Sequence, residues 1–471
     1  MPGIPARRIA IIGGGFAGAM AAIRIVEGSA DRIELTIVEP RERLGRGIAY
    51  SSDDRDHLVN GIASGFVLHP DDPGHFVRWL ETRADELDWV PPMGTSYAAS
   101  SPPRALYGAY FEHELGRAVG LSGGRVRLVH RRDRAVALDA GTLTLASGER
   151  LTADQFILAT GLFRRELDLT ASLAGHRGYV ADPFAPDAFE GAEAAERVIL
   201  LGSGLTMLDS LISLEKSGFR GTYVAISRRG LVVERRRDAE PWPDVITGRA
   251  LPQTVRAMLR LVQQQRRACL GAGEDWQRIP PLLRQHIVPF WLSLNDRERA
   301  RFARHLGPYW GLAQHRASPP SYAFLERVRA QGRFRSLAGT VTGLTATSGG
   351  VRAQVRQRAT RENVALDTDL VVNALGYEFD WNRIADPLVQ NLVTSGQVTP
   401  HPIGFGIRAD TATHAVIGRD GAVSTRLFAV GHALRAELWE ASSMREQLDH
   451  ANRLAGALNA AVRTRESRKV A

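Results

Sequence analysis

Three glycines near the start of the chain have the spacing of a turn that can hold a pyrophosphate. Gly13, Gly15 and Gly18 fit the pattern G-x-G-x-x-G. In this pattern the first glycine permits a tight turn, the second lets a pyrophosphate approach the backbone, and the third lets a helix pack closely on a strand. The helix that follows would direct unpaired N–H groups at the phosphates. The chemistry expected here is therefore the binding of a dinucleotide.

The segments around this turn are those that a dinucleotide-binding unit requires. An apolar run at residues 8–12 predicts a buried parallel strand. A helix from Ala17 to about Glu27 is expected next, and then a second strand from Ile33 to Val38 that ends at Glu39. An acid about 20 residues after the glycines usually accepts hydrogen bonds from an adenosine ribose. A purely structural turn is the alternative, and the agreement of all four features favours the nucleotide site.

A second, weaker copy of the same pattern occurs in the middle of the chain. A strand at residues 197–201 leads into Gly202-Ser203-Gly204, and a helix from Leu205 to Ser217 and a strand from Thr222 to Ser227 are expected to follow. The third glycine position holds Met207, which weakens the match. The order of elements nevertheless predicts a second nucleotide-binding unit.

The end of this second unit differs from the end of the first in charge. Arg228 and Arg229 follow Ser227, at the place that Glu39 occupies in the first unit. Guanidinium groups suit a ribose 2′-phosphate, which a carboxylate would repel. The pair favours NADPH over NADH, although two solvated arginines in an arginine-rich chain would look the same.

Further strands that end in glycine set the expected domain layout. Residues 155–161 and 369–376 flank the second unit, and a final strand at 426–430 leads into Gly431. Such flanking strands are expected when one domain is inserted into another. The prediction is an α/β protein with two Rossmann-like dinucleotide-binding domains: residues 1–195 and 376–471 form one discontinuous domain, residues 196–375 form the inserted domain, and residues 231–333 add a helical region.

Two smaller elements are expected within the first domain. Residues 71–87 are expected to form one helix. Alternating apolar residues at 126–129, 135–138 and 143–145 predict a short antiparallel ribbon.

Composition excludes several other classes of protein. The 471 residues carry a net charge of +9, but only Lys216 and Lys469 are lysines and the arginines are interleaved with acids, so no nucleic-acid partner is expected. Cys269 is the single cysteine, which excludes a disulfide framework and a thiolate metal cluster. No run of about 18 apolar residues occurs, so no membrane span is expected. The expectation from composition is a cytoplasmic protein that holds no metal.

Together these motifs resemble those of the two-dinucleotide-binding-domain flavoproteins, in particular a bacterial group known as FAD/NAD(P)-binding proteins that is distantly related to flavin-dependent monooxygenases. The matching segments are residues 13–18, 45–50, 57–60, 104–108, 202–209, 227–231 and 439–440. The resemblance implies FAD on the discontinuous domain and NADP(H) on the inserted one.

The chain departs from related flavoproteins in three respects. Disulfide reductases of this architecture carry a redox-active cysteine pair, which one cysteine cannot form. The usual Gly-Asp that contacts the flavin ribityl chain is Gly431-His432 here. The F-x-G-x-x-x-H-x-x-x-W fingerprint of flavin-containing monooxygenases is absent.

Motifs and resemblance together give a set of candidate site residues. Those expected to bind the cofactors are Gly13, Gly14, Gly15, Phe16, Ala17, Gly18, Glu39, Thr160, Gly161, Gly202, Gly204, Leu205, Thr206, Ser227, Arg228, Arg229, Gly376, Gly431 and His432. Asn60, Arg435, Trp439 and Glu440 are candidate catalytic residues, because their segments are expected to converge on the flavin. For Glu440 a helix-entry carboxylate is an equal alternative.

The favoured hypothesis is an FAD-dependent NAD(P)H oxidoreductase, a monooxygenase that acts on a small organic substrate. One alternative is a reductase or dehydrogenase that passes electrons to another acceptor without inserting oxygen. The other is a non-catalytic redox sensor that binds flavin and nucleotide. The helical region at 231–333 is expected to set substrate choice, and the oligomeric state stays open.

Overall fold

The computed structural model describes residues 6–470, with side chains described as far as Ala460. Its helices are α1 (Phe16–Gly28), α2 (His75–Thr82), α3 (Ala84–Leu87), α4 (Arg104–Leu121), α5 (Leu205–Lys216), α6 (Val255–Gly271), α7 (Ile279–Ser293), α8 (Asp296–His305), α9 (Gly307–Gln314), α10 (Pro319–Ala330), α11 (Pro387–Thr394) and α12 (Met444–Val470). Among the described residues, no helix is both long enough and apolar enough to cross a membrane.

The strands are β1 (Arg7–Ile12), β2 (Ile33–Val38), β3 (Val126–Arg131), β4 (Ala135–Asp139), β5 (Thr142–Leu145), β6 (Arg150–Thr152), β7 (Gln155–Leu158), β8 (Phe163–Arg164), β9 (Tyr179–Val180), β10 (Arg197–Leu201), β11 (Thr222–Ser227), β12 (Phe334–Thr347), β13 (Gly350–Gln357), β14 (Asn363–Thr368), β15 (Leu370–Asn373), β16 (Tyr377–Glu378), β17 (Ala415–Ile417) and β18 (Val423–Ala429). Most of them belong to two large sheets, each built around one of the two glycine turns.

The first sheet has the strand order β17-β18-β7-β1-β2-β3. Its centre, β1, pairs in parallel with β2 and β7, and its last four residues are buried. Helices α1, α4 and α12 cover one face of this sheet, while the β4–β6 ribbon and α11 cover the other. Strands from both ends of the chain therefore share one core, as expected for a discontinuous unit.

The second sheet has the order β14-β13-β12-β11-β10-β15-β9, with β10 parallel to both β11 and β15. Helices α5 and α10 pack on one face. Strand β9 joins this sheet although it precedes residue 195, and β8 pairs with β16 where the chain passes between the sheets. The predicted fold class is confirmed, and the boundaries at 195 and 375 stay a prediction.

The two glycine turns have the same backbone geometry. Gly13 and Gly202 have φ angles of +105° and +123°. A Cβ atom on either would lie 2.1 Å from a backbone oxygen, that of Ala159 for Gly13 and that of Ala374 for Gly202. Only glycine can therefore occupy these positions. Each turn therefore lies directly against the end of a later strand, β7 for Gly13 and β15 for Gly202.

Two predictions about the first domain are wrong. Residues 126–129 belong to β3, which pairs in parallel with β2 at the edge of the main sheet, so only β4, β5 and β6 form the ribbon. A half-exposed strand alternates apolar and polar residues both at the edge of a parallel sheet and in an antiparallel ribbon, so the pattern does not distinguish the two. The single helix expected at 71–87 is two shorter helices, α2 and α3, with Arg83 between them outside the helical conformation.

A buried ion pair joins the helices that cover the two sheets. Arg104 of α4 donates two hydrogen bonds to the Asp209 carboxylate of α5, at 2.8 and 3.0 Å. The Arg104 and Asp209 side chains are only 13% and 6% exposed. Beside them, His57 Nε2 lies 3.0 Å from Ser213 Oγ of α5. The segments 57–60, 104–108 and 202–209 therefore meet at one contact between the layers.

Candidate functional site

The first cleft is a cavity of about 470 Å³ at the carboxyl end of the first sheet. It lies at the N-terminus of α1, where the cap residue is Gly15 and therefore no cap side chain accepts a hydrogen bond from the first amides. The first amides of a helix have no partner within the helix and can therefore bind an anion. The predicted residues that line this cleft are Gly13, Gly15, Phe16, Ala17, Glu39, Thr160, Gly161 and His432.

A close approach of two backbone segments forms the floor of this cleft. A Cβ atom on Gly15 would lie 3.2 Å from the Cα of Gly47, and both glycines line the cleft. Arg46, next to Gly47, also lines it and has a buried Nε atom without a hydrogen-bond partner. Free helix amides and a guanidinium suit a pyrophosphate, so the residues present fit a dinucleotide.

Glu39 lines the cleft as predicted, but its carboxylate is already engaged. Oε2 accepts a hydrogen bond from the Gly14 amide at 2.9 Å, and Oε1 accepts two from Arg41, one from its guanidinium at 3.0 Å and one from its backbone amide at 3.1 Å. A carboxylate can accept about four hydrogen bonds. Glu39 therefore holds the glycine turn in place and keeps capacity for a ribose hydroxyl.

Three predicted residues support the wall of this cleft from behind and do not line it. Gly14 faces Glu39 and Leu44, where a Cβ atom would meet the side chains of both. Gly18 packs on the backbone oxygen of Gly13, and Gly431, at a φ of +72°, packs against Ala17. Their contribution is close packing of the backbone.

The second cleft is a cavity of about 670 Å³ at the carboxyl end of the second sheet. The helix N-terminus here is that of α5, again with an uncapped glycine, Gly204, and no acid in the first turn. All the residues predicted for this unit line the cleft: Gly202, Gly204, Leu205, Thr206, Ser227, Arg228, Arg229 and Gly376.

Four arginines line the second cleft and give it positive charge, and three of them, Arg165, Arg228 and Arg229, lie near the end of the nucleotide-binding unit or the segment before it. Arg228 is exposed and makes no hydrogen bond or ion pair in the part of the chain that the structure describes. Desolvation at the cleft wall, then Arg165 and Arg229, lower its pKa. Arg229 lies over the ring of Tyr309, at 5.1 Å, and donates to the backbone oxygen of Arg304. Arg165 also lines the cleft and has a buried Nε atom without a partner. Arg228 and Arg165 are therefore free to bind an anion.

The two clefts meet at Leu162 and His432, which line both of them. The protein around the His432 ring lowers its pKa to about 3, mainly through burial and then through Arg435 and His315. Its Nδ1 atom has no hydrogen-bond partner. The ring is therefore neutral near pH 7 and can donate or accept a hydrogen bond. His432 can thus replace the usual aspartate as a hydrogen-bonding group, but it brings no charge.

Arg435 lies one helical turn beyond His432 and lines the second cleft. Its guanidinium stacks on Phe379, Phe405 and Trp439 at 4.2–5.5 Å, and its Nε atom has no hydrogen-bond partner. Burial lowers its pKa to about 10, so the group is still charged near pH 7. A largely buried cation without a bonded carboxylate favours an anionic or electron-rich ligand.

The other candidate catalytic residues lie outside both clefts. Trp439 is buried in an aromatic cluster with Trp291 and Phe302. Glu440 is also buried, and it accepts a hydrogen bond from Trp310 Nε1 at 2.6 Å. Asn60 lines neither cleft. These positions fit packing and positioning roles, while Arg435 alone of the four lines a cleft.

Several residues that line the clefts were not predicted. Arg165 and Leu162 follow the strand that ends at Gly161, and Arg46 and Gly47 belong to a glycine-rich segment. His315 lines the second cleft, and the surrounding protein lowers its pKa to about 4. The flanking glycines were a usable signal for the first four, whereas nothing local marks His315.

Comparison with known proteins agrees with this arrangement. The family described as FAD-NAD(P)-binding matches residues 10–163. No curated protein sequence matches the chain significantly.

Solved structures that are similar along the whole chain share its fold at low sequence identity. Ornithine hydroxylase from Pseudomonas aeruginosa is 16% identical, with a TM-score of 0.59 over 98% of this chain and 100% of its own. Ornithine N-hydroxylase from Kutzneria sp. 744 is 13% identical, with a TM-score of 0.63 over the same shares. L-lysine 6-monooxygenase from Pseudomonas syringae is 14% identical, with a TM-score of 0.60 over 97% of this chain and 100% of its own.

Two parallel sheets with matching glycine turns, two adjoining clefts and these similarities lead to one assignment: the chain has the fold of the two-dinucleotide-binding-domain flavoproteins, and its residues 10–163 carry the match to the FAD-NAD(P)-binding family.

Proposed function

We propose that the protein is an FAD-dependent NADPH oxidoreductase, a monooxygenase that acts on a small organic substrate. The observation that carries the proposal is the shared wall of the two clefts at Leu162 and His432. Each cleft has its own glycine turn and uncapped helix N-terminus, so each suits one dinucleotide. Adjoining clefts would let electrons pass from a nicotinamide in one to a flavin in the other.

The similar solved structures support this choice of reaction. They are named as ornithine and lysine hydroxylating enzymes, and the Kutzneria protein was solved with reduced FAD, NADP⁺ and L-ornithine. The single, buried cysteine argues against a disulfide relay. The overall reaction would convert substrate, O₂, NADPH and a proton into hydroxylated substrate, water and NADP⁺.

This chain's own residues would bind and orient the reactants. Gly15, Arg46 and the amides of α1 would hold the FAD pyrophosphate, and the first amides of α5 would hold that of NADPH. The chemistry that FAD would supply when held there is hydride acceptance and oxygen activation. Arg435 would place a positive charge beside the reacting groups, and His432, being neutral, would hydrogen-bond without competing for an anion.

The test is a set of spectra of the purified protein. Heat-released cofactor should be FAD, because Glu39 lies where an adenosine ribose would be held and FMN has no adenosine. Anaerobic NADPH should bleach the flavin, and on admission of air a monooxygenase should show a long-lived spectrum distinct from oxidised flavin. An FMN peak, fast dye reduction without that spectrum, or a flavin that NADPH cannot reduce would contradict the proposal; the last two would indicate a reductase and a sensor.

Removing Arg228 and Arg229 is expected to abolish a preference for NADPH over NADH. A 2′-phosphate carries about two negative charges, and hydrogen bonds to charged groups contribute about 1.5–3 kcal/mol. That range corresponds to roughly a ten- to hundredfold preference. Anaerobic flavin reduction, titrated with each nucleotide in wild type and in Arg228→Ala with Arg229→Ala, measures it.

The matched control replaces two exposed arginines at the first sheet that line neither cleft, Arg32→Ala with Arg127→Ala. It removes the same charge away from the cleft and should keep the wild-type preference. Equal reduction of wild type by both nucleotides would show that the cleft does not bind the 2′-phosphate. A control that loses the preference would point to long-range charge instead.

A further inference from the structure

A third cavity, of about 550 Å³, lies within the helical region, away from both glycine turns. Helices α6, α7 and α9 form most of its wall. The side chains facing it are almost all apolar, among them Met258, Val262, Leu283, Ile287, Phe290 and Trp310. Its volume is within the range of about 300–1,000 Å³ that is typical of small-molecule sites.

The few polar groups around this apolar cavity already have partners or are exposed at its edge. His286 Nε2 lies 3.1 Å from the Asp244 carboxylate. Glu234 lies 3.9 Å from the Arg237 guanidinium. Gln263 and Arg266 are exposed residues of α6. Glu234, the one carboxylate among the described residues of the wall, lies at the edge near the Arg237 guanidinium, and most of the wall provides a large surface for a hydrocarbon.

Helix α9 separates the apolar cavity from the second cleft. Tyr309, Trp310 and Ala313 line the apolar cavity, Gly311 lines the second cleft, and Leu312 lines both. Although α9 is rich in apolar residues, none of them is fully buried. A short apolar helix with space on two sides is expected to pack fully only when those spaces are filled.

The apolar cavity is also connected to the segment that follows Gly431. Trp310 lines the cavity and donates its Nε1–H to Glu440. Phe302 lines it as well and packs edge-on against Trp439, with ring centroids 5.2 Å apart, while Trp439 stacks on Arg435. Contacts thus run without a break from the cavity wall to the cation that lines the second cleft.

We propose that the apolar cavity binds the body of the substrate, a medium-length alkyl chain or a fused aromatic ring, with the reacting end directed past α9 toward the second cleft. The inference rests on the proposed function for its reaction, but the binding site stands on the cavity alone. It makes the substrate an apolar molecule, in contrast to the charged amino acids named for the similar structures. Burying such a body removes apolar surface from water, and this would be the main source of its affinity.

Binding is tested with N-phenyl-1-naphthylamine, a neutral fluorescent probe, on the purified flavoprotein without NADPH. We expect saturable binding at one site, displaced by 1-decanol and not by L-ornithine. Val262→Trp and Ala313→Phe, which place bulk in the cavity from α6 and α9, should each weaken probe binding at least tenfold. Leu270→Trp, on the exposed face of α6 and outside the cavity, should leave it unchanged.

Each other outcome overturns the inference in an identifiable way. Unchanged binding in both filled variants would place the probe elsewhere, and displacement by L-ornithine as strong as by 1-decanol would contradict the apolar class. If probe binding disappeared when the protein dimerises, the apolar surface would be a contact with a second copy of the chain and not a substrate site. If the probe behaves as expected but NADPH cannot reduce the flavin, the proposed function fails while the apolar site stands.

Discussion

Valine in place of Gly15 is expected to give a folded protein without bound FAD. Gly15 has backbone angles that any residue can adopt, with φ −70° and ψ −165°, so backbone strain is not the reason. The new side chain would instead stand between Gly47 and the first amides of α1, where the pyrophosphate must lie. We expect at least a hundredfold loss of affinity, about 3 kcal/mol. Flavin absorbance per protein measures it, with far-ultraviolet circular dichroism as the check on folding.

The chain contains its own matched control, because Gly204 holds the equivalent position in the second unit. A Cβ atom on Gly204 would contact nothing within 4 Å, so valine fits there without displacing protein atoms. Gly204→Val should therefore keep its FAD and lose reduction by NADPH, the reverse of Gly15→Val. If both variants lost the flavin, or if Gly15→Val kept its flavin absorbance, the assignment of one cofactor to each cleft would be wrong.

Removing the guanidinium of Arg104 is expected to lower the free energy of unfolding by about 3–5 kcal/mol. Arg104→Ala would leave the Asp209 carboxylate, 6% exposed, without its two hydrogen bonds. A buried charge that loses its partner keeps its desolvation cost without compensation. Urea unfolding of wild type and variant, followed by circular dichroism, measures the change.

An exposed pair with the same geometry serves as the control. Arg352 donates to Asp367 at 2.7 and 2.9 Å, but these side chains are 53% and 63% exposed. Arg352→Ala should therefore cost far less stability than Arg104→Ala, because water screens an exposed ion pair. A loss for Arg104→Ala no larger than for Arg352→Ala would mean that the contact between the two layers does not contribute to stability. Arg104→Met with Asp209→Leu should recover much of the loss, because no charge stays buried.

The parts of the fold that sequence predicted best are those that depend on neighbouring residues. The turn at Gly13 follows from an apolar run, a glycine spacing and a helix, all within a few residues, and the second turn at Gly202 follows in the same way. Strand β3 was assigned to the wrong sheet because alternation does not identify the partner strand. Its pairing with β2 is a long-range contact, with most of a domain between them in sequence.

Sequence identifies residues that line the clefts where the wall is built from backbone, and it does not where the wall is built from distant side chains. Gly431 and His432 were found through their position after a strand, but the place of His432 between two clefts depends on how the two sheets meet. Trp439 and Glu440 were expected beside the flavin, yet they contact the helical region, whose packing no local pattern indicates. For His315 a core or capping role was expected, with substrate choice as the alternative, and its place in the lining of the second cleft depends on the same packing.

The position of the single cysteine allows the opening of the helical region to be measured by the rate of thiol labelling. Cys269 lies on α6 with no exposed surface, its Sγ donates to the backbone oxygen of Asp275, and it packs against Ile279 and Leu283, which line the apolar cavity. A thiol reagent can reach it only while these helices separate, so the labelling rate of the unmodified protein reports how often that region opens, whether locally or with the whole fold. A molecule that fills the cavity would hold the helices together and slow the labelling in proportion to its occupancy.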